Sequence, residues 1–523
     1  MTLTRHPDRY REIAETLSRH GMGYLVGVLG LERLVPFHRG LLGHERRAEP
    51  YTRPEHVRLA LEQLGATFTK LGQILSTRPD LLGPEYGREL AKLQDAAPAV
   101  PGEAISEALK AELGGTVEEF FSTFELQPIA AASIGQAHAA TLHDGTDVVV
   151  KIRRPGVVEQ IEQDLEILQN LATRASHRWD AAAGYDLIGL ADEFAHTLRA
   201  EMDYLREGRN AERFAANFAG DPDVHIPSVF WETTTSRVLT LERIRGINIS
   251  DLAGLDAAGI DRRALAERAT RVVAQMVFED RFFHADPHPG NFFIEPGGRI
   301  GIIDFGMVGE VDERLRTQLG HLLLGLARQD PDRIADAVLA LAASDATVKR
   351  ADLRDDLAGL VSRYEDATLG DIPLGALIEE VLAILRRHRL RLPHELALLI
   401  KALAMNEGMG AWLDPEFRLG DVLAPYAERL MGAELSPTAL ARRLKEAGLQ
   451  AAELGIELPE QLHRVLSAID REGLQLQLPA TQLEQLIARN ERQTNRLVTA
   501  VIGAAVIQGL ALVWTARRST RRS

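Results

Sequence analysis

His284-Ala285-Asp286-Pro287-His288-Pro289-Gly290-Asn291, followed thirteen residues on by Asp304-Phe305-Gly306, is the stretch that decides the fold. Taken as H-x-D-x-x-x-x-N and then D-F-G, it has the order and spacing of the base-and-metal half of a phosphoryl-transfer site. In such a site Asp286 meets the acceptor while Asn291 and Asp304 hold Mg²⁺, so the implied ligands are ATP and Mg²⁺. Neither half is specific alone, since a D-F-G arises by chance and His-Asp-His clusters occur in many hydrolases. Their order and spacing are the signal. His284 and His288 are read as loop-shaping hydrogen bonders, because Asp and Asn oxygens suit Mg²⁺ and imidazole does not.

The flanks agree. An apolar run from Ala264 to Phe278 predicts a helix leading into the loop, and Asn291 to Ile294, Pro296-Gly297-Gly298 and Arg299 to Ile303 predict a hairpin. A site of this kind also needs a strand-borne lysine and a loop over the phosphates. Val148-Val149-Val150-Lys151-Ile152 supplies the first, set off from the run Ala137 to Leu142 by the turn His143-Asp144-Gly145. Lys151 is the expected partner of the phosphates, although a lysine closing a strand is by itself usually a solvated end. The second is Ile129-Ala130-Ala131-Ala132-Ser133-Ile134-Gly135-Gln136-Ala137, where a protein kinase carries G-x-G-x-x-G. Alanine's Cβ keeps this loop from approaching phosphates as freely as glycine would. Val229 to Glu232 and Arg237 to Glu242 alternate like strands. Glu242-Arg243-Ile244 then reads as the connection between lobes, with backbone groups of Glu242 and Ile244 able to pair with adenine.

These motifs together resemble the UbiB family, atypical protein-kinase-like proteins linked to ubiquinone biosynthesis. The resemblance rests on the alanine-rich loop 130–136, Val150-Lys151-Ile152, Glu201-Met202-Asp203-Tyr204 with Glu207, the His284 to Asn291 loop, Asp304-Phe305-Gly306 and Lys70-Leu71-Gly72-Gln73. By motif it spans about residues 50 to 310, and the tail matches only in character. It implies that Lys70 and Gln73, the K-x-G-Q signature of an N-terminal helical extension, fold over the pocket where a protein substrate would bind. It implies the same neighbourhood for Glu201 and Asp203, an E-x-D signature, and makes Glu207 the carboxylate that pairs with Lys151. Spacing alone does not choose Glu207, because the helix expected over 187–218 also carries Asp192, Glu193 and Glu212.

Composition sets the outer bounds. With 523 residues, 45% of them hydrophobic, the chain can bury a substantial core. The absence of cysteine excludes disulfides, thiolate metal sites and cysteine nucleophiles. A net charge of −15 argues against nucleic acid as the main partner. No secretory signal is expected, since Met1 to Arg19 lacks an apolar core. Gly23 to Phe37 is apolar enough to touch a membrane surface, but reads better as an ordinary packed helix.

The charge is uneven. Residues 496–523 carry Arg496, Arg517, Arg518, Arg521 and Arg522 and no acid, and Leu497 to Ala516 carries no charge at all. Twenty helical residues at about 1.5 Å each span about 30 Å, the thickness of a bilayer's hydrocarbon core. A single-pass membrane anchor is expected there. A buried core helix and a re-entrant segment are the alternatives, and Gly503, Ala504, Ala505, Gly509 and Ala511 would let it pair with a second copy as a homodimer. The trailing arginines favour a cytoplasmic C-terminus while ATP use requires a cytoplasmic catalytic domain. One crossing cannot satisfy both, and ATP use takes precedence.

The reading is therefore an α+β, two-lobed protein-kinase-like fold. It comprises a helical extension (1–122), an N-lobe (123–246), a mainly helical C-lobe with extensions (247–495) and a transmembrane anchor with a basic tail (496–523). The expected function is an Mg-ATP-dependent ATPase supporting isoprenoid-quinone biosynthesis at a membrane, the bacterial inner membrane. Its expected partners are membrane lipids and quinone-precursor lipids or quinone-biosynthesis enzymes. The alternatives are a phosphotransferase on a small-molecule or protein acceptor, and a nucleotide-gated lipid-binding scaffold with little turnover.

Overall fold

Residues 147–153 alternate along their length: Val148, Val150 and Ile152 are buried, while Val149, Lys151 and Arg153 lie on the other face. That is the period of two a strand imposes, and it turns Lys151 away from the packed side of its sheet. The computed structural model describes residues 5–31, 34, 52–76, 78, 81–93, 97–178, 186–342, 348–364, 374–388 and 390–434. The chain falls into two units, Met1–Ser436 and Pro437–Ser523. The second, with the membrane segment expected at 497–516, lies outside the described residues.

The extension is helical: α1 (Pro7–Arg19), α2 (Gly23–Val28), α3 (Arg53–Leu64), α4 (Ala66–Ser76) and α5 (Pro84–Leu90). Thr52 and Glu55 start α3 with a reciprocal capping box. Next, α6 (Gly102–Leu113) and α7 (Val117–Phe120) lead into β1 (Thr123–Phe124), β2 (Ala130–Ala131), β3 (Gly135–Thr141) and β4 (Asp147–Arg153). Three helices follow: α8 (Val157–Arg178), α9 (Leu187–Glu201) and α10 (Tyr204–Asn217). After them come β5 (Val224–His225) and β6 (Val238–Glu242). Strands β1, β3, β4 and β6 form an antiparallel sheet in that order, with β2 also paired to β3. One face is covered by Ile105 and Leu109 of α6 and Val117 and Phe121 around α7, packed on Val148, Val150 and Ile152. Burying each such side chain contributes about 1.5–3 kcal/mol.

Helices α8 and α9 dock the extension. Tyr10, Ile13, Leu64 and Phe68 close on Ile167 and Leu171 of α8, while Leu71 and Ile74 of α4 pack against the α8–α9 cluster of Ile161, Leu165, Phe194 and Leu198. The single helix expected over 187–218 is broken. It stops at Glu201 and restarts at Tyr204, where the Asp203 side chain accepts from Leu205 N–H as an N-cap. The strand expected at 229–232 is likewise replaced by a 3₁₀ turn over Trp231–Thr233, leaving one bridge from Val229 to Leu241.

The C-lobe continues with β7 (Ile247–Asn248), α11 (Leu252–Ala257), α12 (Arg262–Phe278), β8 (Phe282–His284), β9 (Phe292–Ile294), β10 (Ile300–Ile302) and β11 (Val308–Glu310). Six helices complete it: α13 (Glu313–Ala327), α14 (Pro331–Leu341), α15 (Arg350–Arg363), α16 (Leu374–Arg387), α17 (His394–Leu413) and α18 (Leu419–Glu434). The expected hairpin is present as β9 against β10, turning through Gly297 and Gly298 at φ 89° and 84°. Among the described residues, α17 alone is long and apolar enough to cross a membrane. Half of it is buried, and Leu396, Ala397, Leu399, Ala402 and Met409 belong to the C-lobe core with Val272 and Met276 of α12. It is a core helix of this lobe.

Candidate functional site

Helix α10 buries Tyr204, Glu207, Gly208, Ala211 and Phe214, the i, i+3, i+4, i+7, i+10 stripe of one face. Glu207 is thus an acid on an apolar stripe, and it is there to meet Lys151, with which it forms an ion pair. The other acids of the expected 187–218 stretch are engaged elsewhere: Glu212 of α10 accepts from Trp231 Nε1 at 2.6 Å, while on α9 Asp192 accepts from Gln169 at 2.7 Å and Glu193 meets His394 at 2.8 Å. Asp304 Oδ2 lies 3.8 Å from the same Lys151 Nζ. Burial alone would lower the Lys151 pKa, but Asp304 and Glu207 outweigh it and hold the ammonium above its ordinary pKa.

The D-F-G segment is held from two sides. Phe305 is fully buried against Phe214 (ring centroids 5.4 Å apart) and His284 (6.2 Å). Its N–H donates to Glu207 Oε1 at 3.3 Å, and its carbonyl accepts from Asn210 at 2.9 Å. Asp304 stands at φ 74°, a left-handed conformation that Asp tolerates better than most residues, with Oδ1 accepting from Gly306 N–H at 3.0 Å. Burial pushes the Asp304 carboxyl up, but Lys151 and the Gly306 N–H pull harder and leave it below the ordinary carboxylate range. Its half-exposed side chain faces the cleft.

Hydrogen bonds set the loop from His284 to Asn291. His284 Nδ1 accepts from Asp286 N–H at 3.1 Å, so Nε2 carries the proton and donates to the Asp304 carbonyl at 2.6 Å. Burial lowers the His284 pKa and keeps the ring neutral. His284 therefore ties loop to D-F-G, and His288 accepts from Gly290 N–H at 3.0 Å. Asn291 Nδ2 donates to the Asp286 carbonyl at 3.1 Å, which leaves its amide oxygen as a donor atom for a metal. Asp286 Oδ1 lies 2.8 Å from Lys401 Nζ of α17. Burial opposes ionisation of Asp286, and Lys401 reverses that, so its pKa is lowered.

One cavity of 1910 Å³ gathers most of the residues expected to act: Lys70, Gln73, Ile129, Ala130, Ala132, Ile134, Gly135, Gln136, Ala137, Lys151, Glu201, Glu207, Glu242, Ile244, Asp286, Asn291 and Asp304. Ala131, Ser133 and Asp203 do not line it. Ala131 sits in the β2–β3 ladder opposite Gln136, Ser133 is buried in the turn, and Asp203 caps α10. The alanine-rich segment is a tight hairpin more than a loop. Ala132 N–H bonds the Gly135 carbonyl at 2.8 Å, and Arg154 clamps the turn through the Ala132 and Ile134 carbonyls. A Cβ on Gly135 would lie 2.1 Å from the Tyr204 hydroxyl and 2.9 Å from the Ile152 carbonyl, so this position needs glycine for close approach. On the cavity wall Lys70 forms an ion pair with Glu201, and Gln73 donates to the Leu93 carbonyl at 3.1 Å. Glu242 is tethered by Ser228 N–H at 3.2 Å and His225 at 3.4 Å, while Ile244 packs over Gly301.

No group of three or more His, Asp or Glu among the described residues converges on a metal-sized site. Asp304, 3.8 Å from Lys151, and Asn291 offer two oxygen donors to the same cavity. That incomplete set fits Mg²⁺, which keeps several waters and takes its remaining ligands from nucleotide phosphates.

Comparison with known proteins bears on this architecture directly. The ABC1 atypical kinase-like domain matches residues 92–338, and the UbiB helical domain matches 357–418. The probable protein kinase UbiB of Xylella fastidiosa (strain 9a5c) is 34% identical over 469 residues, covering 88% of this chain and 85% of that protein. The chain belongs to the UbiB family. Another UbiB relative, from Xanthomonas campestris pv. campestris (strain 8004), is 34% identical over 477 residues with the same coverage. The uncharacterized protein sll1770 of Synechocystis sp. is 35% identical over 437 residues, 83% of this chain and 75% of that protein. Within this UbiB-family chain, Lys151, Glu207, Asp286, Asn291 and Asp304 fall in the kinase-like match, and Lys70 and Gln73 precede it.

Lys401, in the UbiB helical match, is the residue that sequence reasoning missed. The available signal was a single charge inside the apolar run Leu396 to Met405.

Proposed function

We propose that this protein binds Mg-ATP in the cleft between its lobes and cleaves the γ-phosphoryl group, acting as an atypical kinase-like ATPase that supports ubiquinone biosynthesis at a membrane. The observation that carries the reading is the meeting of Lys151, Glu207 and Asp304 in one cavity with Asp286 and Asn291. The relatives' name, probable protein kinase UbiB, supports the kinase-like assignment, and the quinone role is what the family resemblance implies. The uncharged stretch 497–516 supports the membrane.

The residues divide the work. Lys151, kept cationic by two carboxylates, grips the phosphates, and Glu207 fixes its position. Asp304 and Asn291 would hold the metal, which when bound supplies charge neutralisation at the β- and γ-phosphates. Asp286 accepts a proton from water as the water oxygen bonds the γ-phosphorus. The bond from that phosphorus to the β,γ-bridging oxygen breaks, leaving ADP, phosphate and a proton that Asp286 returns to solvent. The Lys70–Glu201 pair lines the same cavity, and the family resemblance implies that it occupies the approach of a protein acceptor, which supports hydrolysis over protein phosphorylation.

A second reading, phosphotransfer to a small amphiphile, draws on one observation. Past Lys401 the cavity continues between α16 and α17, lined by Ile378, Leu382, Ile400, Ala404 and Met405. Phosphate release from Mg-ATP by the purified full chain, with and without acidic-lipid vesicles and a phenolic quinone-precursor mimic, tests both. Release stimulated by lipid with no labelled acceptor supports the ATPase, and a labelled mimic supports transfer. Absence of nucleotide binding and release under all conditions refutes the proposal.

A further inference from the structure

The segment His284 to Asn291 contains no lysine or arginine. The cation that meets Asp286 comes instead from α17, with Lys401 Nζ 2.8 Å from Asp286 Oδ1. Lys401 is rooted in a helix whose Leu396, Ala397, Leu398, Leu399 and Ala402 are packed into the C-lobe core, which fixes the backbone from which its side chain reaches Asp286. Its side chain is 19% exposed and Asp286's is 38% exposed. A charge placed in so apolar a helix costs desolvation unless a partner meets it, and Asp286 is that partner. Two of the cations lining the cleft thus meet different members of the expected reacting set: Lys151 faces Glu207 and Asp304, and Lys401 faces Asp286.

A bare carboxylate repels a phosphate that approaches it, and a neutralised one does not. If Asp286 meets the acceptor, the γ-phosphate is the nucleotide group nearest to it, and a diphosphate leaves that place empty. We propose that Lys401 is a positioning residue of the phosphoryl-transfer site, acting through Asp286: it orients and neutralises that carboxylate so that a triphosphate can lie beside it. The helical domain thereby sets the preference for ATP over ADP. This inference rests on the Mg-ATP reading given above.

The test is a binding cycle that needs no turnover. Affinities of the full chain for Mg-ADP and for the Mg complex of an imido-linked, non-hydrolysable ATP analogue are measured by calorimetry. The proteins compared are the wild type, Lys401→Met, Asp286→Asn, Lys401→Met with Asp286→Asn, and Lys401→Arg. Lys401→Met is expected to weaken the analogue by about tenfold or more and ADP by less than about twofold. Adding Asp286→Asn is expected to recover the analogue to within about threefold of wild type, because the unpaired carboxylate is gone. Lys401→Arg keeps the charge and is expected to keep the preference.

Equal weakening of analogue and ADP would make Lys401 merely structural and overturn the inference. So would wild-type analogue affinity in Lys401→Met, or a loss that Asp286→Asn does not recover. A wild type that binds neither nucleotide refutes the nucleotide reading itself, and this inference with it, and is distinguished from the other failures by its ADP result.

Discussion

Replacing Glu207 with Gln separates the two tasks of the Lys151 counter-charge, because the change keeps shape and removes charge. Lys151 loses its paired carboxylate but retains Asp304 at 3.8 Å. Removing one partner of a buried ion pair ordinarily costs about 3–5 kcal/mol, because an uncompensated charge remains. At an effective dielectric of about 20, the remaining Asp304 attraction is about 4 kcal/mol before desolvation, so most of that penalty is offset. The amide oxygen of Gln can still accept from Phe305 N–H, now 3.3 Å from Glu207 Oε1. The expected loss of folding stability is therefore only about 1–3 kcal/mol, read as a shift in urea midpoint at unchanged slope. The larger effect falls on ligand binding. Asp304 becomes the sole carboxylate for Lys151 and is drawn from its cleft-facing position. Mg-dependent ADP affinity is expected to fall by at least about tenfold, or about 1.4 kcal/mol. Calorimetric titration of Mg-ADP into variant and wild type measures it. Wild-type Mg-ADP affinity in Glu207→Gln, or a stability loss above about 5 kcal/mol, would refute the idea that two carboxylates share one ammonium.

Three further outcomes are expected. Gly135→Ala should destabilise by about 1–3 kcal/mol in urea unfolding, since its methyl would sit 2.1 Å from the Tyr204 hydroxyl and 2.9 Å from the Ile152 carbonyl. Arg78 is buried, 3.1 Å from Glu193 and 3.4 Å from the Leu392 carbonyl. Arg78→Met should speed hydrogen exchange in α4 while leaving exchange in α12 unchanged, and equal exchange in α4 would sink the view that Arg78 fastens the extension to the C-lobe. His138 is fully buried, with Nδ1 bonded to the Glu125 carbonyl at 2.7 Å and Nε2 to Gln136 at 2.8 Å. Burial lowers its pKa below 6.5, so below about pH 6.5 the unfolded chain binds the proton that the folded one refuses. Stability should therefore rise with pH through that window, and His138→Gln should flatten the slope in denaturant titrations at pH 5 and 7.

Much of the fold was legible because its signals are local. The β9–β10 hairpin follows from Pro296-Gly297-Gly298 between β-branched and aromatic runs, and α12 from an apolar run. The errors were also local contests that packing decided. Asp203 could have sat within a helix by propensity, but its carboxylate caps the next one and splits 187–218 in two. Val229 to Glu232 alternates as a strand does, yet its chain turns at Trp231 as Thr234 bonds the Phe230 carbonyl at 2.8 Å.

The candidates for the reacting groups could be named from the sequence alone: Asp286, Asn291 and Asp304 lie within one short stretch, and their spacing is set by backbone geometry that nearby residues dictate. Spacing left the acid that serves Lys151 open, and although the family resemblance pointed to Glu207, the pairing itself, like the cation that serves Asp286, is a matter of tertiary structure. Glu207 prevails over Asp192, Glu193 and Glu212 because the buried stripe of α10 aims it at β4. Lys401 reaches Asp286 because the apolar faces of α12 and α17 bury each other. Burial is non-directional and acts between residues far apart along the chain, so local pattern carries no record of which charges it will bring together.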